Sequence, residues 1–127
     1  MNKTILLAGL VLGGVAIILG AFGAHGLKRA LGPDELNTFE TGVKYQLYHA
    51  LFLILLSMMT MATEGMKRVV FYLIISGVIL FSFSIYLLAT NSLTGFDFRK
   101  IGFVTPIGGL LMILGWGYLF FSILTKK

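Results

Sequence analysis

The chain has 127 residues, of which 57% are hydrophobic and 12% charged, with a formal net charge of +5. A soluble domain carries about 25% charged residues, so this composition excludes a water-soluble fold and points to lipid as the solvent. The ten Lys and Arg do not form a basic face for a duplex, because eight of them stand in pairs beside apolar runs: Lys28 with Arg29, Lys67 with Arg68, Arg99 with Lys100, Lys126 with Lys127. Such pairs anchor a span against anionic headgroups. With no cysteine, disulfides, iron–sulfur clusters and thiol nucleophiles are excluded.

Four runs contain no Asp, Glu, Lys or Arg: Ile5 to Ala24, Tyr45 to Thr63, Val69 to Phe96 and Ile101 to Thr125. Each approaches or exceeds the roughly 20 residues that cross a hydrocarbon core as a helix. A segment in lipid must satisfy its own backbone hydrogen bonds, and strand-like alternation is missing, so the expected fold class is all-α. The expectation is one polytopic domain over residues 1–127, an up-and-down four-helix transmembrane bundle with a short helix in the first connection. Its spans are placed at about 5–24, 45–63, 69–90 and 101–124, with an amphipathic connection at 26–44.

The first run is longer than the roughly 7–15 residues of a signal-peptide core, and Phe22 stands where cleavage wants a small residue, so it is expected to stay as a span. Along it Gly9, Gly13, Ala16, Gly20 and Ala24 step by fours and threes onto one helical face, where another backbone can approach closely. In the connection, Gly32-Pro33-Asp34-Glu35 is a helix start: proline at the first position and acids facing the positive end of the macrodipole. This helix is expected to put Leu36, Phe39 and Val43 on one face and to run into the second span, bending at Gly42. Glu64 to Arg68 is read as a tight turn and Asn91 to Lys100 as a short polar one. In the fourth span Gly108 and Gly115 repeat the small-residue face, and Pro106 lies in the first turns, where proline is tolerated.

Orientation is a tie under the positive-inside rule. Lys3, Lys67, Arg68, Lys126 and Lys127 share one side; Lys28, Arg29, Lys44, Arg99 and Lys100 share the other. The acids Asp34, Glu35, Glu40 and Asp97 stand with the second group, which favours both termini in the cytoplasm. A tie is also what a dual-topology protein shows.

Up-and-down topology brings the unusual polar residues to one side: His25 at the end of span one, Tyr45, Gln46, Tyr48 and His49 at the start of span two, Tyr86, Thr90 and Asn91 at the end of span three, Thr105 at the start of span four. The candidate ligand-binding or structural cluster is His25, Tyr45, Gln46, His49, Asn91 and Thr105, with Tyr45, Gln46 and His49 on one helical face. An imidazole without a partner in hydrocarbon costs on the order of a few kcal/mol. His49 is therefore expected to face inward and bond Asn91, Thr105, a tyrosine hydroxyl or a carbonyl freed near Pro106. Two other readings stay open: His25 and His49 ligating a b-type haem between helices, or Tyr45, Gln46 and His49 holding a quinone or a lipid headgroup. Phe81, Phe83, Phe96, Phe98, Phe103 and Trp116 read as lipid-facing or interfacial. The chain shows no Ser-His-Asp context, no His-Glu-x-x-His and no paired carboxylates, so neither an enzyme nor a metal site is expected and no cofactor is assigned. The glycine-rich residues 20–26 follow a membrane helix rather than a strand, which removes a nucleotide loop.

Several motifs carry a family resemblance: Gly-Ala-Phe-Gly-Ala-His-Gly-Leu at 20–27, Phe39 to Thr41 with Val43, Tyr45-Gln46, Tyr48-His49-Ala50, Gly77 to Phe81, Ser84 to Tyr86, Thr105-Pro106-Ile107-Gly108-Gly109 and Gly115-Trp116. In order and spacing, over nearly the whole chain, they resemble the small four-span membrane proteins of domain-of-unknown-function family four-twenty-three. The resemblance implies a bacterial inner-membrane protein with mitochondrial relatives, and a fold rather than a reaction. The leading functional expectation is a structural or accessory protein that docks through its glycine faces onto a second copy or a larger inner-membrane complex, with the lipid bilayer around it and no nucleic-acid partner. The alternatives are a binding protein for haem, quinone or lipid near His25 and His49, and a small dual-topology carrier.

Overall fold

The structure, a computed structural model, describes residues 2–93 and 98–126. The readings of Phe96, Asp97 and Lys127, and of the side chains of Phe98 and Arg99, lie outside what it describes. Among the described residues every regular element is helical. They are α1 (Lys3–His25), α2 (Pro33–Met58), α3 (Glu64–Val78), α4 (Ser84–Ala89) and α5 (Val104–Thr125). A π-turn, Ile79–Phe83, joins α3 to α4 in one rod, and short 3-10 turns stand at Leu27–Arg29, Asn91–Leu93 and Phe98–Ile101.

Local chemistry sets the boundaries. Asn2 caps α1, its side-chain oxygen accepting the Ile5 N–H at 3.1 Å. Gly32 precedes α2, which opens on Pro33 with Asp34 and Glu35 in its first turn and continues unbroken through Gly42. The helix that contains the expected second span therefore begins twelve residues before Tyr45, as one helix with the connection. At its other end the charge-free run to Thr63 overshoots. Helix α2 stops at Met58, Met59 is extended, and Thr63 caps α3 by accepting the Met66 N–H at 3.2 Å. The expected tight turn at Glu64 to Arg68 is instead the first turn of α3, because a capping threonine followed by an acid starts a helix whatever the hydropathy around it. Pro106 occupies the third position of α5, where its missing N–H has no helical acceptor to lose.

Three of these rods are long and apolar enough to cross a bilayer: Lys3–Arg29, Glu64–Ala89 and Val104–Thr125. The expectation of four equivalent spans is thus met in three. Helix α2 is as long, with 26 residues, but its first half carries Asp34, Glu35, Glu40 and Lys44.

Packing follows chain order, as a row: α1 on α2, α2 on α4 and the π-turn, and α3 with the π-turn on α5. Glycine makes the two outer seams close. A Cβ on Gly9 would stand 2.9 Å from the Ala50 carbonyl oxygen, and one on Gly23 would stand 3.0 Å from the Phe39 ring. Across the second seam, a Cβ on Gly77 would lie 2.9 Å from the Gly108 oxygen, and one on Gly108 would lie 2.7 Å from the Gly77 oxygen while crowding the Phe81 amide nitrogen. Gly115 instead makes room for the Ile74 side chain, which a Cβ would approach to 2.7 Å. The small-residue faces of α1 and α5, expected as docking surfaces, are therefore filled from within the chain. Leu53, Leu56, Val70, Ile74 and Val78 form the fully buried centre, whereas Ile17, Ile18, Ile113, Phe121 and Leu124 project outward from the spans.

Both termini and the α2–α3 turn share one end. The Asn2 N–H donates to the Ser57 carbonyl at 3.0 Å, Asn2 Nδ2 to Glu64 Oε2 at 2.9 Å, and Lys126 Nζ to the Met61 carbonyl at 2.8 Å. Lys67, expected as a headgroup anchor, is buried here: its Nζ donates to the Ser57 carbonyl at 3.2 Å and stands 3.7 Å from Glu64. It satisfies a carbonyl that the end of α2 leaves without a helical donor.

Gly108→Ala is expected to cost about 1–3 kcal/mol, since neither backbone can yield, while Gly117→Ala, with open space around it, is expected to be neutral. Thermal unfolding of the two variants in the same detergent checks this.

Candidate functional site

The polar residues lie mainly along the middle of the row, where α2 meets α4, the π-turn and α5. Gly42 has no side chain where Tyr86 passes; a Cβ there would stand 2.7 Å from the Tyr86 ring. The close approach lets Ser82, in the π-turn, donate to the Gly42 carbonyl at 2.8 Å. One turn on, Gln46 is fully buried. Its Nε2 donates to the Leu12 carbonyl of α1 at 2.9 Å, and its Oε1 accepts the Tyr86 hydroxyl at 2.6 Å. One carboxamide thus holds three helices together.

His49 comes next along this face. Its Nδ1 donates to the Tyr45 carbonyl at 2.8 Å, and its Nε2 accepts the Trp116 indole N–H at 3.0 Å. A carbonyl only accepts and an indole only donates, so the ring is neutral imidazole with its proton on Nδ1. Both nitrogens are in use. Trp116 also packs on Phe52, with ring centroids 4.3 Å apart.

Beside this bond lies a half-open groove of about 350 Å³ between α2, the π-turn and α5, lined by Tyr45, His49, Phe81, Gly109, Met112, Ile113 and Trp116. The Tyr45 and Phe81 rings meet edge-on at 5.2 Å at one wall. Gly109 leaves room beside Phe81; a Cβ there would meet that ring only at an ordinary 3.6 Å.

The structure divides the expected cluster. Tyr45 and His49 line the groove, whereas Gln46, on the same stripe of α2, is bonded inside the α1–α2–α4 junction and does not line it. Thr105 bonds Ser84 at 2.5 Å, linking α5 to α4. Because Ser84 donates to the Phe81 carbonyl at 2.9 Å, Thr105 is the donor of that pair. Asn91 is half-buried in the 3-10 turn after α4. Neither Asn91 nor Thr105 is the partner of His49. His25 is exposed at the far end of α1. In the antiparallel α1–α2 seam Gly23 meets Phe39 and Gly13 meets Ala50, which sets His25 level with residue 37 or so, about 18 Å along α2 from His49. The two histidines are not at one depth, and the His49 Nε2 that would ligate iron holds the Trp116 N–H, so these residues do not fit a bis-histidine haem.

Gly42, Ser82, Ser84 and Trp116 are the partners that the sequence reading did not assign. For Trp116 a signal existed: it lies in the middle of a 22-residue helix, far from the interfacial belts, where an indole N–H has no water and needs a protein acceptor. Ser82 and Tyr86 are four apart and so share a face, which is the corresponding signal for the α4 side.

A few apolar rods, interior hydrogen bonds and an outward shell of aliphatic side chains define a small multi-pass membrane protein, and the relatives named below place it in the cell inner (plasma) membrane. The chain belongs to the DUF423 family, described as "Protein of unknown function", which matches residues 19–109. It is similar to the UPF0382 membrane protein of Staphylococcus saprophyticus, 37% identical over 114 residues, covering 90% of this chain and 91% of that one. It is also similar to the UPF0382 membrane protein YwdK of Bacillus subtilis, 34% identical over 116 residues, 90% of each. The UPF0382 inner membrane protein YgdD of Escherichia coli K12 is 32% identical over 130 residues, 99% of this chain and 93% of that one. No solved structure matches.

Removing the Gln46 carboxamide strands the Tyr86 hydroxyl, whereas removing that hydroxyl leaves Gln46 one bond. Gln46→Leu is therefore expected to destabilise more than Tyr86→Phe, the latter by about 0.6 kcal/mol, measured by reversible unfolding in mixed micelles. In His49→Leu the emission of Trp116, the sole tryptophan, is expected to shift to the blue as its indole loses a polar partner; an unchanged spectrum means that the bond is absent in solution.

Proposed function

We propose that this protein is a four-helix transmembrane bundle with cytoplasmic termini that binds a lipid-soluble ring compound of the quinone class, and that it is a binding protein rather than an enzyme. The observation that carries this reading is the aromatic groove at His49 and Trp116. Its volume of about 350 Å³ lies within the roughly 300–1,000 Å³ of small-molecule sites, and its lining has their composition, mostly apolar and aromatic with few polar groups. Tyr45, Phe81 and Trp116 offer faces and edges to a flat ring. The Tyr45 hydroxyl has no partner among the described residues and is available to donate to a ring carbonyl. The groove is too small for a whole phospholipid, and a haem lacks its second histidine. Docking through glycine faces has less support, since Gly9, Gly23, Gly108 and Gly115 already pack inside the chain.

The fourth crossing is assigned to α2 because Ser57, at its end, bonds Asn2 at the start of α1, so α2 returns along the whole length of α1. The polar half of α2 is compatible with lipid because its buried polar side chains, Gln46 and His49, are bonded internally.

Two experiments test these statements. The native chain has no cysteine, so single substitutions report sidedness: Thr60→Cys and Lys126→Cys are expected to label only from the cytoplasm and Lys28→Cys only from outside. Labelling of Thr60→Cys and Lys28→Cys from one side means that α2 does not cross. For the groove, a short-tailed quinone titrated into the purified protein is expected to quench Trp116 emission saturably. Gly109→Leu, which fills the groove without touching the helix seams, is expected to weaken that by roughly ten-fold, about 1.4 kcal/mol. Quenching that does not saturate, or that survives Gly109→Leu, removes the quinone reading.

A further inference from the structure

Helices α1 and α3 do not pack along their lengths. At the end where the chain start meets the α2–α3 turn they leave a notch of about 190 Å³ lined by Asn2, Thr4, Ile5, Arg68, Phe71 and Tyr72. This is the opposite end of the molecule from His25, and remote from the aromatic groove. Its floor is apolar, with Ile5 buried and Phe71 half-buried, while Thr4, Arg68 and Tyr72 stand exposed at the rim.

Charge is unbalanced at this rim. Lys67, the neighbour of Arg68, is turned inward onto Ser57 and Glu64, and Glu64 is also held by Asn2. The one acid nearby is thus already paired with a buried cation and an amide. Arg68 has no carboxylate or hydrogen-bond partner among the described residues, and neither has the hydroxyl of Thr4 or Tyr72. A guanidinium and two hydroxyl donors around a small recess are the groups that hold a phosphate.

We propose that the notch between α1 and α3, with Arg68, Thr4 and Tyr72 at its rim over Ile5 and Phe71, holds the phosphate of one anionic phospholipid. The membrane is the source because of where the notch lies. Arg68 is in the second turn of a spanning rod, at headgroup level, and the floor continues into the lipid-facing surface of that rod, where Val69 and Tyr72 are exposed. Acyl chains attached to the phosphate would lie against this surface. A snorkelling arginine that meets headgroups at large has no such recess and no preference among them; a built site prefers the anionic lipid.

Native mass spectrometry of the purified protein in micelles doped with phosphatidylglycerol or phosphatidylethanolamine tests this. One phosphatidylglycerol per chain is expected to be retained in preference to phosphatidylethanolamine, and Arg68→Gln is expected to weaken retention by about five-fold, the equivalent of about 1 kcal/mol for one cation at a lipid surface. Thr4→Val combined with Tyr72→Phe, which leaves the charge and the helix start intact, is expected to lower it by about two-fold, so the proposal stays testable if Arg68→Gln disturbs insertion. Equal retention of the two lipids, or of phosphatidylglycerol by the wild type and every variant, overturns the proposal. Displacement by inorganic phosphate without any lipid preference also overturns it, by assigning the notch to a free anion.

Discussion

A buried carboxamide in a lipid-solvated bundle has several hydrogen-bonding positions and no water to fill them, and Gln46 takes its partners from two other helices. Its amide binds the Leu12 carbonyl of α1 and its oxygen takes the Tyr86 hydroxyl of α4. Lipid tails are as apolar as leucine, so no hydrophobic force drives one spanning helix against another; close packing and interior hydrogen bonds decide register. Sliding α2 by one residue along either neighbour would leave one end of Gln46 unpaired. The same requirement holds throughout: among the described residues no buried side-chain nitrogen or oxygen lacks a partner.

The architecture then reads as two glycine-packed pairs joined by a polar hinge line. Helices α1 and α2 meet through Gly9, Gly13 and Gly23; the α3–α4 rod and α5 meet through Gly77, Gly108 and Gly115. Between the pairs the bonds run along one stripe of α2, in steps of four and three: Gly42 to Ser82, Gln46 to Tyr86, His49 to Trp116. The close seams are worth contact area and the stripe supplies direction. Glycine is needed at Gly42 as well, since without its bare backbone Tyr86 could not lie close enough for Ser82 to reach the Gly42 carbonyl.

How much of this was legible in the sequence follows from what each element depends on. Solvent, helical class and the start of α2 at Pro33 were readable because they rest on composition and on local capping chemistry. The end of α2 was misread because absence of charge was taken as helix, when the signal at Thr63-Glu64 was a cap. That His49 must be bonded inward was readable from desolvation alone; that Trp116 is the partner was not, since pairing depends on which rods are adjacent in the row. The glycine stripes are readable as close-packing faces, but one chain's sequence does not say whose backbone approaches; here Gly9, Gly23, Gly108 and Gly115 meet neighbours within the chain. Lys67 shows the same limit: next to Arg68 in sequence, it turns inward while its neighbour turns out.

The two kinds of joint also explain why the groove lies where it does. A glycine seam brings backbones together over many residues and leaves no room for a ligand, whereas α2 and α5 do not pack as helices and are bridged by side chains, chiefly His49 and Phe52 against Trp116. A bridge of side chains spans a gap, and the gap beside it is the groove. Its walls are set by neighbours that cannot shift: Phe81 is fixed by the π-turn crossing Gly108, and Met112 by its contact with Gly77. Trp116 is half-exposed and is held from one side, by its hydrogen bond to His49 and by ring contacts with His49 and Phe52. A ligand entering from the bilayer would displace one neutral hydrogen bond at most, and the indole N–H it released would be free to donate to a ring carbonyl of the ligand.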